Sequence, residues 1–102
     1  MPQDMLDLES AKKELKTKSL LDIERATAKT WAARAAACYE LATEAKSRDQ
    51  RVKRLEEAMN YRQEALEHAA MTEDLPFIEE ILLDLKDYAK NAEQVAITHQ
   101  SS

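Results

Sequence analysis

"LKTKSLLD", residues 15–22, contains neither Gly nor Pro, and whether a helix runs through it decides the architecture of the chain. Before it, "DMLDLESAKKELKT" brings Leu8, Ala11 and Leu15 to one helical face. Glu9–Lys13 and Glu14–Lys18 add favourable i,i+4 pairs there. After it, Leu20, Ile23, Trp31, Ala35, Cys38, Ala42 and Ala45 form a stripe, with Ala32 and Tyr39 beside it. Ser19 could cap a new helix, with Asp22 and Glu24 in its first turns, giving helices over about 4–17 and 19–46. Without that break, one helix from 4 to 46 would run about 65 Å, at ~1.5 Å per residue. A domain of this size is not that long, so the first half would need a partner chain to cover it. The continuous reading therefore carries a homodimer with it.

Composition sets the fold class. The 102 residues include no Gly, and the two prolines are Pro2 and Pro76. Without Gly there is no low-cost route to positive φ, which disfavours tight β-hairpin turns. Strong helix formers (Ala, Leu, Glu, Lys, Arg, Gln and Met) fill most positions. The expectation is a single all-α domain, either a three- or four-helix antiparallel bundle or a helical-hairpin stack. Nine alanines between Ala26 and Ala45 allow a neighbouring backbone to approach closely. Ser47 or Asp49 starts the next helix, about 49–71, with Val52, Leu55, Met59, Leu66 and Ala69 on one face and Ala58 and Ala65 flanking. Thr72 or Asp74 caps the last, about 74–96, with Pro76 in its first turn. Ile78, Ile81, Leu82, Leu85, Ala89, Ala92 and Val95 make it the most apolar stripe of the chain. "ITHQSS" reads as a frayed tail.

Residues 31–69 resemble a tetratricopeptide-repeat helical hairpin. "WAARAAACYELA" (31–42) is similar to the Ala-rich first helix of such a repeat, with Ala35 or Ala36 where that family has Gly. "EEAMNYRQEALEHA" (56–69) is similar to the second, with Ala58 and Ala65 seven apart and Tyr61 between them. A three-helix domain of the microtubule-interacting-and-trafficking type is similar at the same residues. Either resemblance implies a groove that takes a peptide or a partner helix.

Chemical readings of the same helix are weaker. Glu64 and His68 could face one way as in ferritin-like helices, but the apolar stripes supply no further inward carboxylates. Arg62 and His68 have the spacing seen in HEPN ribonucleases, yet six steps of ~100° leave them about 120° apart. Arg62 falls on the apolar stripe, so its head must reach water or a carboxylate, with Glu40, Glu44 and Asp84 as candidates. A chain without Gly has no phosphate-cradling loop and no serine nucleophile elbow. The lone Cys38 excludes an internal disulfide and reads as a small buried apolar residue. No catalysis, cofactor or metal is expected.

Charge is unevenly placed. Residues 1–54 carry 12 basic against 9 acidic groups, +3, and residues 55–102 carry 3 against 11, −8, which makes the net −5. The most basic segment, "RDQRVKR", offers Arg48, Arg51, Lys53 and Arg54, the set a nucleic-acid-associated regulator would use. No aromatics interleave with it, and a nucleic-acid partner is not the favoured reading. No apolar run reaches the ~18 residues of a membrane span, and the start of the chain does not read as a secretory signal, so a cytoplasmic protein is expected. The favoured function is a non-catalytic protein-interaction module that self-associates through Leu8, Leu15, Leu20, Leu21 and Trp31. The acidic face of Glu73, Asp74, Glu79 and Glu80 is a second candidate surface for a protein partner.

Overall fold

The computed structural model describes residues 7–101 of the protein, and side chains through Thr98. It consists of three helices: α1 (Leu8–Glu44), α2 (Arg48–Met71) and α3 (Leu75–Ser101). The break expected at Ser19 is absent. α1 is one helix of 37 residues, about 55 Å long. The physical reason lies in residues 15–22: extending an existing helix costs a few tenths of a kcal/mol at Thr17 or Ser19, whereas a second helix would need a new nucleus. Asp7 caps it, Oδ1 accepting from the Ser10 amide at 3.1 Å. Residues 4–6, assigned to the first helix from sequence, lie outside the described residues. At the other end of the chain α3 continues to Ser101, past the helix end expected at about residue 96.

Two short turns reverse the chain. Ala45 leaves α1 in an extended conformation, and Ser47 Oγ accepts from the Gln50 amide at 3.2 Å to start α2. α2 ends where the amides of Thr72 and Glu73 donate to the carbonyls of Ala69 and Ala70, at 3.1 and 3.0 Å. Thr72 Oγ1 donates to the Ala69 carbonyl at 2.6 Å and accepts from the Asp74 amide at 3.2 Å. Asp74 then caps α3, accepting from the Phe77 amide at 3.3 Å, with Pro76 inside the first turn. Glu73 must adopt φ 54°, the left-handed conformation that a helix end commonly gives to Gly. A chain with no Gly places an L-residue there at a steric cost of about 1–2 kcal/mol. Glu73→Gly is expected to raise stability by about 0.5–1 kcal/mol net of the added chain entropy. A urea titration reads it as a higher midpoint at unchanged slope; a lower midpoint would show that the Glu73 side chain contributes more than its strain costs.

The three helices run antiparallel in sequence, and the ends do not match. Glu24 Oε2 receives His68 Nδ1 at 2.6 Å, and Arg25 reaches Asp74 at 3.3 Å, so the α2–α3 turn sits beside residues 24–25 of α1. Both pairs are partly exposed and contribute roughly 0–1 kcal/mol each; they set register more than stability. Before that level, residues 7–20 of α1 are exposed throughout. The molecule measures about 77 × 19 × 14 Å, and its radius of gyration of 19.7 Å exceeds the ~13 Å of a compact chain this long.

Where α1 and α2 overlap they meet along an alanine seam. Ala28, Ala35 and Ala42 face Ala58, Ala65 and Ala69, all fully buried. Single methyl groups let the two backbones come close, but they remove little apolar area from water. α3 supplies the bulk: Phe77, Ile81, Leu85 and Ala92 close over the seam, and Ile81 and Leu85 are the only large side chains with almost no exposure among the described residues.

Candidate functional site

α2 and α3 make the thinnest contact of the three helix pairs, and between them lies an open groove of about 1040 Å³. Its position follows from the seam. α3 has a broad apolar arc, and two alanine-rich helices cover only part of it. Ile81 and Leu85 turn inward, while Leu82, Leu83 and Ile97 stay on the flank facing α2. Leu55 and Met59 of α2 complete the apolar lining, with Tyr39 at the floor. Met59 and Leu83 are 63% and 64% exposed, a cost that a folded monomer gains nothing from. Arg62, Lys86, Lys90 and Glu93 complete the lining with charge. Burial pushes the Tyr39 phenol above its ordinary range, partly offset by Arg62.

The residues singled out from sequence fall in several separate places. Leu8, Leu15 and Leu20 lie exposed on the free half of α1, at 60%, 66% and 63%, and Leu21 is half-buried. Leu8, Leu15, Leu20 and Trp31 fall on two faces of α1. Leu20 and Trp31, eleven residues apart, share a face, but five steps of ~100° from Leu15 to Leu20 put Leu8 and Leu15 on another. Trp31 is already engaged within the chain: its ring stacks on Tyr61 at 5.5 Å, and Arg34 covers it at 4.9 Å.

The basic segment is dispersed as well. Arg51 is buried, and its Nη1 donates to the Ala45 carbonyl at 3.3 Å. It serves the C-terminus of α1, whose last turn has no basic residue of its own. Arg54 pairs with Glu57 at 3.3 Å, leaving Arg48 and Lys53 as the exposed pair. Of the acidic set, Glu73 forms the turn and Asp74 is taken by Phe77 and Arg25; Glu79 and Glu80 are exposed on α3. Arg62 finds none of its three candidate carboxylates and lines the groove instead. His68 faces Glu24 across the helix pair. No cluster of three potential metal ligands occurs among the described residues.

Sequence reasoning missed the groove because both of its walls read as ordinary helix faces. The available signal was the excess of apolar residues on α3 over the small residues of its neighbours. Cys38 is buried, as expected, and desolvation raises its thiol pKa, with Glu57 adding to the shift and Arg54 opposing it. A raised folded pKa means stability that is complete below the ordinary thiol range and is lost as pH rises through the raised value. Tyr39 acts in the same direction at higher pH. Stability is therefore expected to fall from about pH 8.5 upward, with the early part of the fall absent in Cys38→Ala. Urea midpoints measured from neutral to alkaline pH check this, and a fall of equal onset in Cys38→Ala would refute it.

No family model, curated protein or solved structure matches this chain. Among the described residues, no helix is long and apolar enough to cross a membrane.

Proposed function

We propose that this protein is a non-catalytic interaction module, an adaptor, chaperone-like or regulatory subunit, that takes a helix or peptide of a partner protein into the α2–α3 groove. The observation that carries this reading is the groove itself: an apolar channel edged by charge, lined by large side chains left in water. The resemblance of residues 31–69 to a tetratricopeptide hairpin points the same way. Among the described residues, two groups that chemistry would call on are otherwise engaged. Cys38 is buried with its thiol pKa raised, and His68 is held by Glu24. One buried cysteine suits a reducing, cytoplasmic setting.

Self-association belongs to the same reading. The N-terminal third of α1 extends beyond its neighbours with Leu8, Leu15 and Leu20 uncovered, and a second copy lying along it would shield Leu8 and Leu15, which share a face. Amide exchange of residues 8–20 is then slow at high protein concentration and fast at low, in step with the mass measured by light scattering. A constant monomer mass near 11.6 kDa would remove the dimer without touching the groove. For the groove, the test is an NMR titration with amphipathic helical peptides of varied charge. Shifts confined to Met59, Leu82, Leu83 and Ile97 are expected. If no peptide moves those signals, the groove is not a docking site.

A further inference from the structure

We infer that the α2–α3 groove selects an amphipathic helix of another protein whose apolar stripe is flanked by carboxylates. This rests on the groove being a docking surface. From residue 55 onward the chain carries 11 acidic residues and only three Lys or Arg. All three of those cations, Arg62, Lys86 and Lys90, line the groove, against one carboxylate, Glu93. Of the other α3 carboxylates, Glu80 and Asp84 lie in the separate crevice between α3 and α1, and Glu79 and Asp87 are exposed outside both linings. Lys86 and Lys90 are four apart, one turn above the other on one wall, and Arg62 comes from the opposite wall on α2.

A helix lying in the groove thus meets positive charge from both sides. Its length fits: Leu82 to Ile97 spans about 22 Å of α3, room for four turns. Four turns carry anchors at i, i+3 or i+4, i+7 and i+11. Exposed cations at such an edge choose the sign of the partner and speed its encounter more than they add affinity. The free half of α1 from a second copy is the wrong occupant. It presents Lys12, Lys13, Lys16 and Lys18 against Glu9 and Glu14, the same sign as the cations of the groove.

The experiment uses the full chain and two helical peptides of about 18 residues with one leucine stripe, flanked by Glu in one and Lys in the other. Fluorescence anisotropy is read at about 0.05 M and about 0.5 M salt. The Glu-flanked peptide is expected to bind roughly tenfold tighter at low salt, with the gap closing at high salt. K86E with K90E, both exposed, should reverse the preference while the thermal midpoint stays within a few degrees. Equal affinities at low salt, or a preference that survives K86E/K90E, overturn charge selection and leave helix docking standing. Silence from both peptides overturns the docking reading itself. Self-association that disappears in K86E/K90E would overturn the inference in favour of a second copy.

Discussion

Leu85→Ala is expected to remove about 3–4 kcal/mol of stability, within the range for emptying a close-packed leucine site. That is a large share of the 5–15 kcal/mol a whole domain commonly has. The size of the effect follows from how this core is composed. Seven alanines and one cysteine make up most of what α1 and α2 bury, together with Tyr39, and each alanine withdraws only a methyl from water. Leu85 at 1% exposure and Ile81 at 2% are the large side chains that hold α3 against the seam. Removing one leaves a cavity that closely spaced helices have little freedom to fill. Urea unfolding followed by helical circular dichroism should show one transition, far to lower midpoint. A loss below about 1 kcal/mol would mean that Leu85 sits at a loosely packed boundary, where truncation is tolerated.

The same composition explains what the sequence disclosed and what it withheld. An all-α fold was legible from the absence of Gly and the excess of helix formers. The seam was legible from nine alanines in one stretch, and the starts of α2 and α3 from two cap candidates each, of which Ser47 and Asp74 are the ones used, because caps are local chemistry. Continuity through Ser19 was not legible. A serine flanked by leucines and lysines is compatible with a cap or an interior position, and the continuous helix with residues 7–20 exposed shows which one the chain takes. Arg51 belonged by sequence to a basic cluster; its burial under the end of α1 depends on the turn at Ala45–Ser47, which places its guanidinium beside a carbonyl six residues earlier. Trp31 was a self-association candidate by sequence, and its stacking on Tyr61, thirty positions away, is a pairing that no local signal gives. The groove lies at the same distance from sequence: its walls come from α2 and α3, and only the shortfall in covering area reveals it.

Ala65→Leu is expected to cost about 2–3 kcal/mol, for a reason opposite to Leu85→Ala. Ala65 has no exposure and faces the equally buried alanines of α1. A leucine there has no void to enter, so it must drive α1 and α2 apart or leave its preferred rotamers. Ala70, five positions on and exposed, supplies the control: Ala70→Leu adds the same atoms to the same helix and should stay within about 0.5 kcal/mol of the parent. Ala65→Gly separates volume from methyl loss, keeping the close approach while costing about 1 kcal/mol through helix propensity. Chemical denaturation of the three variants side by side gives the answer, and equal midpoints for Ala65→Leu and Ala70→Leu would show that the helices are not in close contact there. The seam also governs the groove. Close approach of α1 and α2 narrows the surface they offer to α3, which is why Leu82 and Leu83 remain in water beside α2. An Ala65→Leu protein that still folds should therefore lose peptide binding as well as stability, because α2 would shift from the wall it forms.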